Sequence, residues 1–263
     1  MGQNFLVDAS AAARIAGLVL EPFADKSVEP AQRRVLEIGA GTGQLTRALL
    51  DAGAAVTVID IDPDMIRILR SQSDLGAARI ERADALRFEY ALFAGSEPWR
   101  VAGNLPYNIA TPLIVHLIEM RDGPEMLVVM VQKDVADRFI AKPGTKAYGS
   151  LSIAVQYAMH VERAFALGPH VFFPQPKVHS TVVCLTRRAQ PAVVVRDEKW
   201  FLQVVRGGFA YRRKTLANSL ALAIGLERDT VAQALHTLEL DTEIRGEQLG
   251  IADFARVADA LES

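Results

Sequence analysis

Short apolar runs alternating with helical stretches constrain this chain more than any other feature. Arg34–Ile38, Ala54–Ile61, Ala77–Ala83, Trp99–Gly103 and Met126–Val131 read as five strands. Leu45, Leu49 and Leu50 mark a helix after the first strand, and Asp62-Pro63 opens one after the second, with proline at its first turn. Thr111-Pro112 opens a helix through Met120, and Gln132–Ile140 forms another. Continuously apolar strands separated by helices belong in a parallel sheet covered on both faces. Ligands on such sheets bind beyond the carboxyl ends of the strands.

The unusual residues fall at those ends. Arg34-Val-Leu-Glu-Ile38 runs into Gly39-Ala-Gly-Thr-Gly43, spaced GxGxG. Gln44 stands where the dinucleotide fingerprint would need a further glycine. Glycines there let a backbone approach a ligand at the start of a helix. Asp60 closes the second strand, 21 residues after Gly39, where a carboxylate can accept both hydroxyls of a ribose. Asp84 ends the third strand and can accept from an adenine amino group. Gly turn, ribose acid and adenine acid on three successive strand ends describe an adenosine site. No second phosphate loop or GK[ST] follows, so S-adenosylmethionine fits better than a nucleoside triphosphate. Turn or helix caps are the structural alternative for Asp60 and Asp84.

The fourth strand ends in Asn104-Leu105-Pro106-Tyr107, within Val101-Ala-Gly-Asn-Leu-Pro-Tyr-Asn-Ile-Ala-Thr-Pro112. An amide side chain, a fixed backbone carbonyl and an aromatic face stand within four residues. An exocyclic amine on a planar base needs those groups. A plain strand-to-helix turn bent by proline is the structural alternative.

Asp8 can cap an amino-terminal helix through about Glu21, and residues 22–32 read as a loop. Leu151–Met159 has a helical period, and Ala164–Leu167 and Thr181–Leu185 read as further strands, with the stiff loop Phe172-Phe-Pro-Gln-Pro-Lys177 between them. After Arg187-Arg188-Ala-Gln-Pro191 the periods are all helical: Trp200–Phe209, Leu216–Ile224, Val231–Leu238 and Phe254–Leu261. The boundary is drawn there: residues 1–188 form the larger domain and 189–263 a helical one. With 263 residues, one large and one small domain is the expected count.

The net charge of −2 is unevenly spread. Residues 1–130 carry 12 Lys/Arg against 17 Asp/Glu, residues 131–218 carry 14 against 5, and residues 219–263 carry 3 against 9. A middle segment at +9 between acidic ends can bind phosphates locally. No apolar run approaches the roughly 18–20 residues of a membrane span. Met1-Gly-Gln-Asn-Phe-Leu lacks the pattern of a signal peptide, and Leu6 argues against myristoylation. Cys184 is the only cysteine, which excludes an internal disulfide or a cysteine zinc cluster. His116, His160, His170, His179 and His236 show no metal-ligand spacing. A cytoplasmic protein with no metal is expected, and the absence of heptads points to a monomer.

With these pieces in hand, the chain resembles the KsgA/RsmA-type rRNA adenine N6-dimethyltransferases, a branch of the class I S-adenosylmethionine-dependent methyltransferases. The resemblance runs almost end to end, through Gly2-Gln-Asn-Phe-Leu6, Leu36–Gly43, Ile59-Asp-Ile-Asp62, Ala83-Asp84 and Gly103–Pro112. It continues in Gln132–Ala136, Pro143–Gly149, Phe172–Ser180 and Phe209–Leu220. It implies an α/β fold: a Rossmann-like domain on a mixed, mostly parallel seven-stranded sheet, plus a small all-helical carboxyl-terminal domain that contributes to RNA binding. It also implies 16S rRNA, in the small ribosomal subunit or its precursor, as partner, and N6,N6-dimethylation of two adjacent adenines near the 3′ end as activity.

The same resemblance implies site roles. Asn4 and Leu6 would close over S-adenosylmethionine, Gly39 would line its methionine end, Asp60 would hold the ribose and Asp84 the adenine, with Glu37, Gly41, Ile61 and Ala85 as further cofactor contacts. Asn104 would face the methyl group and the target amine. Two departures stand out. Asp60 occupies a position where the family usually has Glu, one methylene longer. The family also usually carries a basic segment ahead of the Gly2–Leu6 motif, where this chain begins.

For catalysis, the Asn104 Oδ1 and the Leu105 carbonyl would accept the two N–H groups of the target amine, with Pro106 fixing the turn. Tyr107 would stack on the base and Phe172 would offer a second aromatic face. Lys133, Arg138, Lys142, Lys146, Lys177, Arg212, Arg213 and Lys214 would face RNA phosphates. Competing readings are an adenine-N6 methyltransferase for large-subunit rRNA or DNA, and an RNA-binding ribosome-assembly factor whose catalysis is dispensable.

Overall fold

The computed structural model describes residues 4–21, 32–95 and 97–262. Gly2 and Gln3 of the amino-terminal motif, and all but Gln32 of the loop expected over 22–32, lie outside the described residues. The chain divides into two compact units, Met1–Ala136 with Val161–Arg187, and Asp137–His160 with Arg188–Ser263.

The first unit is built on a seven-stranded sheet. Its strands are β2 (Arg34–Ile38), β3 (Ala55–Asp60), β4 (Arg79–Arg82), β5 (Arg100–Asn104), β6 (Met126–Gln132), β7 (Met159–Leu167) and β9 (Ser180–Arg187). Their spatial order is β4-β3-β2-β5-β6-β9-β7. The pairs from β4 to β6 are parallel, and β6–β9 is antiparallel. The expected mixed, mostly parallel sheet is therefore what forms. From β2 the chain moves outward to β3 and β4, then returns to place β5 on the other flank of β2. That reversal leaves a crevice at the carboxyl ends of β2 and β5, the place where open α/β sheets hold ligands.

Local chemistry starts the helices around this sheet. Asp8 caps α1 (Ala9–Leu20) by accepting from the Ala11 N–H at 2.7 Å. Asp62 caps α3 (Pro63–Ser71) by accepting from Asp64 at 2.9 Å. Each such cap supplies about 1 kcal/mol. Apolar faces of α1 and of α2 (Gln44–Asp51) close one core with the strands, through Ile15, Val19, Leu45, Leu49, Val56 and Val58. Cys184 belongs to that core, and burial pushes its thiol up to about 11. The short helix α4 (Tyr90–Ala94) precedes β5, and α5 (Ala110–Glu119) follows it.

One element escapes the sequence reading. β1 (Phe5–Leu6) pairs antiparallel with β8 (Phe172–Phe173), Phe5 opposite Phe173 and Leu6 opposite Phe172. Val7 N–H extends this ribbon by donating to the Val171 carbonyl at 2.9 Å. Strand β7 also begins five residues before the expected Ala164. Its exposed charges, Glu162 and Arg163, mask the alternation in the way sheet-edge strands do.

The second unit is helical where it is described, apart from the start of β7. After α6 (Lys133–Phe139) come α7 (Ser150–Ala158), α8 (Glu198–Ala210), α9 (Leu216–Ile224), α10 (Arg228–Thr237) and α11 (Ile251–Ala260). Tyr148, Ile153 and Tyr157 share a core with Phe201, Leu220, Leu235 and Phe254. Asp137–His160 accordingly clusters with the carboxyl-terminal helices, although it precedes the boundary drawn after Arg188. Packing partners, not linker composition, decide membership here.

Candidate active site

The strand register brings the expected residues to one level. Ile38 lies opposite Ile59, Glu37 opposite Ala102, and Asp60 opposite Arg82. The Gly39 N–H donates to Ile59 at 2.9 Å, and Ala83 donates to the Asp60 carbonyl at 3.0 Å, continuing the ladder past the strand ends. Across the crevice, a Cβ built on Gly39 would stand 3.5 Å from the Asn104 carbonyl and 3.7 Å from Pro106 Cδ. The Gly turn and the Asn-Leu-Pro-Tyr turn thus form the two lips of the crevice. Gly39, Gly41 and Gly43 all have positive φ, which explains the glycine spacing.

Asn104 ends β5, half-buried, and its Nδ2 donates to the Asn4 carbonyl at 2.7 Å. That bond leaves Oδ1 as the acceptor of the amide. Leu105 is buried, and the Pro106 carbonyl accepts from Ile109 and Ala110, each at 3.0 Å, to start α5. Tyr107 is half-buried and its hydroxyl lies 3.1 Å from Ser180 Oγ on β9. The turn is therefore anchored from three sides.

The amino-terminal residues cover this site. Asn4 holds the Asn104 amide, the Phe5 ring lies over Gly41, and Leu6 is buried in the core. Phe172, expected as a second stacking face, is 2% exposed in that core, while Phe173 is 70% exposed. Side chains on a strand alternate between faces, and the ribbon directs Leu6 and Phe172 inward together. Two-residue strands carry no period from which this could be read.

Glu37 is 1% exposed, and its Oε2 has no hydrogen-bond partner. Burial above all, with Asp60's charge adding to it and Thr46 opposing it, pushes its carboxyl up to about 8. A buried unsatisfied carboxylate oxygen is costly and suits a cationic ligand. Asp60 is also pushed upward, chiefly by burial, against the backbone N–H groups that face it. It accepts from Asp62 at 2.9 Å. Asp84 accepts from Leu86 at 2.9 Å and borders a recess of about 450 Å³ with Arg79, Glu81 and Phe88. Both acids thus hold their own turns and keep lone pairs for a ligand. Beside them Ile61 is exposed and Ala85 buried.

All eight expected cations are exposed. Lys133 and Lys177 lie in the first unit. Arg138, Lys142, Lys146, Arg212, Arg213 and Lys214 lie in the second. Arg212 donates to the Lys146 carbonyl at 3.2 Å and pairs with Glu247 at 3.4 Å, so the Lys146 and Arg212 segments, distant in sequence, meet. Among the described residues, no group of three or more His, Cys, Asp or Glu could hold a metal ion, and no helix is long and apolar enough to cross a membrane.

Residues 1–263 match the ribosomal RNA adenine dimethylase family. The chain belongs to that family. It is 41% identical over 261 residues to a ribosomal RNA small subunit methyltransferase A of Hahella chejuensis, covering 98% of this chain and 90% of the relative. The Lactococcus lactis protein of the same name is 42% identical over 267 residues, covering 99% and 88%. Among solved structures, a dimethyladenosine transferase from Plasmodium falciparum superposes with a TM-score of 0.77 at 25% identity, over 96% of this chain and 95% of that one. The 23S rRNA methyltransferase ErmE gives 0.71 at 25% identity, over 99% and 100%. The fold is that of class I methyltransferases, and the chain is an rRNA adenine dimethyltransferase using S-adenosylmethionine.

The glycine turn of this dimethyltransferase fits that cofactor: it supplies positive-φ backbone beside an orphaned buried carboxylate oxygen. It also yields a prediction. A Cβ on Gly41 would stand 2.6 Å from Phe5 Cδ1 at a φ of +56°. Gly41→Ala should strain the turn by roughly 1–2 kcal/mol and dislodge Phe5. Calorimetric titration should show S-adenosylmethionine affinity at least ~10-fold weaker, the effect of about 1.4 kcal/mol, with the circular-dichroism spectrum retained. Unchanged affinity would remove the Gly41–Phe5 contact from the cofactor site.

Proposed function

We propose that this enzyme dimethylates the N6 amines of two adjacent adenines near the 3′ end of 16S rRNA, within the small ribosomal subunit or its precursor. The observation that carries the catalytic reading is the Asn104 amide, held through Nδ2 at the carboxyl end of β5 beside the glycine turn. The small-subunit names of relatives 41% identical across nearly the whole chain support the choice of acceptor.

The adenine N6 lone pair is delocalised into the ring, so the amine is a weak nucleophile. In this reading the Asn104 Oδ1 and the Leu105 carbonyl accept its N–H groups. They favour a pyramidal nitrogen whose lone pair faces the methyl donor. Nδ2, committed to Asn4, fixes which end of the amide is presented, so the acceptor is preorganised. Tyr107 stacks on the base, and Phe172 backs the pocket from the core. Bound S-adenosylmethionine supplies an electrophilic methyl group. Glu37 would pair with the cofactor's ammonium, with Gly39 and Gly41 alongside. Asp60 and Ile61 would hold the ribose and Asp84 and Ala85 the adenine; Asn4 and the Phe5 ring would cover them, while Leu6, expected in that role, anchors the cover in the core. The amine's surplus proton leaves to water. After one transfer a single N–H remains, and the pocket must hold a methyl beside Asn104. The target base leaves its stack to enter, at a cost of about a few kcal/mol.

The exposed cations of each unit position the RNA by its phosphates. Replacing Arg212, Arg213 and Lys214 together by Ala should weaken RNA binding and flatten the log–log salt dependence by about 2. An unchanged slope would take this cluster out of the RNA interface. A monomer working in the cytoplasm completes the proposal. Its test is transfer of labelled methyl to under-methylated small subunits, with large-subunit rRNA, naked RNA and DNA as competitors. Preference for the small subunit is expected; equal labelling of DNA or large-subunit rRNA would overturn the assignment.

A further inference from the structure

We infer that the exposed Phe173 ring is a stacking platform for a second unpaired base of the substrate RNA, the neighbour of the base held at Asn104. The inference rests on the function proposed above. Phe173 is 70% exposed, against 45% for Tyr211, the other large aromatic open to solvent among the described residues. It pairs with Phe5 across the β1–β8 ribbon, so the two side chains share one face. The Phe5 ring covers Gly41 at the glycine turn. Phe173 therefore stands on the crevice side of the ribbon, while Leu6 and Phe172 fill the core behind it.

The ribbon carries this ring close to the Asn104 turn. Asn4, the residue before Phe5, holds the Asn104 amide at 2.7 Å. Consecutive Cα atoms lie about 3.8 Å apart and paired ones about 5 Å, so Phe173 is within about 9 Å of Asn4 by those spacings. A ring that close to the residue gripping the Asn104 amide is within reach of the nucleotide next to the one held at Asn104. Its surroundings suit RNA. Lys177 and His179 are exposed in the following loop, Val7 and Val178 add apolar surface, and Pro174 and Pro176 restrict the backbone. Cations interleaved with an open aromatic ring are the usual equipment for gripping single-stranded RNA. A substrate with two adjacent target adenines always presents a neighbouring base.

The test compares Phe173→Ala, Phe173→Leu and Phe173→Trp, all at an exposed site where folding is not at stake. The readouts are KM for under-methylated small subunits and quenching of 2-aminopurine placed next to the target adenine in a short RNA. The alanine and leucine variants should raise KM about 5- to 150-fold and lose the quenching. S-adenosylmethionine affinity should stay unchanged, and tryptophan should restore both readouts. Wild-type KM and quenching in the alanine and leucine variants would overturn the inference. So would a defect with whole particles and none with the oligonucleotide, which would assign the ring to a protein contact. Absence of methyl transfer by the wild-type enzyme would sink the proposed function and this inference with it.

Discussion

Asn104→Ala should lower the methyl-transfer rate by about 100- to 1,000-fold or more, the usual effect of removing one preorganised polar group from a reacting centre. S-adenosylmethionine binding should change only a few-fold, because the glycine turn, Asp60 and Asp84 lie on other strand ends. Asn104→Asp sharpens the test. It keeps an acceptor oxygen but loses the Nδ2 donor, and sets a carboxylate oxygen against the Asn4 carbonyl, now 2.7 Å from Nδ2. The amino-terminal cover should then loosen, raising the cofactor Kd and lowering kcat together. The alanine variant should affect kcat far more than Kd. Single-turnover transfer with saturating cofactor, alongside calorimetric titration, separates the two. Near-normal turnover in Asn104→Ala would remove Asn104 from catalysis.

Glu37→Gln should move stability and cofactor binding in opposite directions. Between the ordinary value of 4.5 and about 8, the folded enzyme keeps a proton on Glu37 that the unfolded chain releases. The folded state binds more protons in that window, so stability falls as pH rises through it. The loss is on the order of 3 kcal/mol by pH 7. Glutamine has the shape without the titration, so the cofactor-free variant should gain about 1–3 kcal/mol at pH 7, roughly 3–10 °C in Tm. The stability decline between about pH 5 and 8 should flatten. In the proposed site the variant also lacks the carboxylate that would pair with the cofactor's ammonium. Loss of a charge-assisted hydrogen bond should raise the S-adenosylmethionine Kd about 10- to 100-fold. Thermal unfolding from about pH 5 to 8, with and without cofactor, reads both effects. Normal cofactor binding by the Glu37→Gln enzyme would show that the buried carboxyl serves the fold alone.

Much of this was legible in the sequence because the sheet is parallel. Buried parallel strands are continuous apolar runs, and Arg34–Ile38 and Met126–Val131 stand out as such. Their special residues collect where the strands end, so Gly39, Asp60, Asp84 and Asn104 could be placed together without knowing the strand order. The amino-terminal cover could not be read in the same way. Asn4 contributes a main-chain carbonyl, which any residue carries, and the β1–β8 ribbon has two residues per strand. The inside–outside choice between Phe172 and Phe173 depends on that ribbon's register. Glu37 enters the site through the resemblance alone, and its unpaired oxygen follows from how tightly β2 is enclosed. Membership of Asp137–His160 in the second unit follows from the partners of Tyr148, Ile153 and Tyr157 in space.

The proposed function brings adjacent adenines of small-subunit rRNA to the crevice between the glycine turn and Asn104. The most direct measurement is nuclease digestion and mass analysis of rRNA from under-methylated small subunits treated with enzyme and S-adenosylmethionine. Two N6,N6-dimethyladenosines at neighbouring positions near the 3′ end, absent from the Asn104→Ala reaction, are the predicted result. Methyl groups elsewhere in the rRNA, or the same products from the Asn104→Ala enzyme, would contradict it.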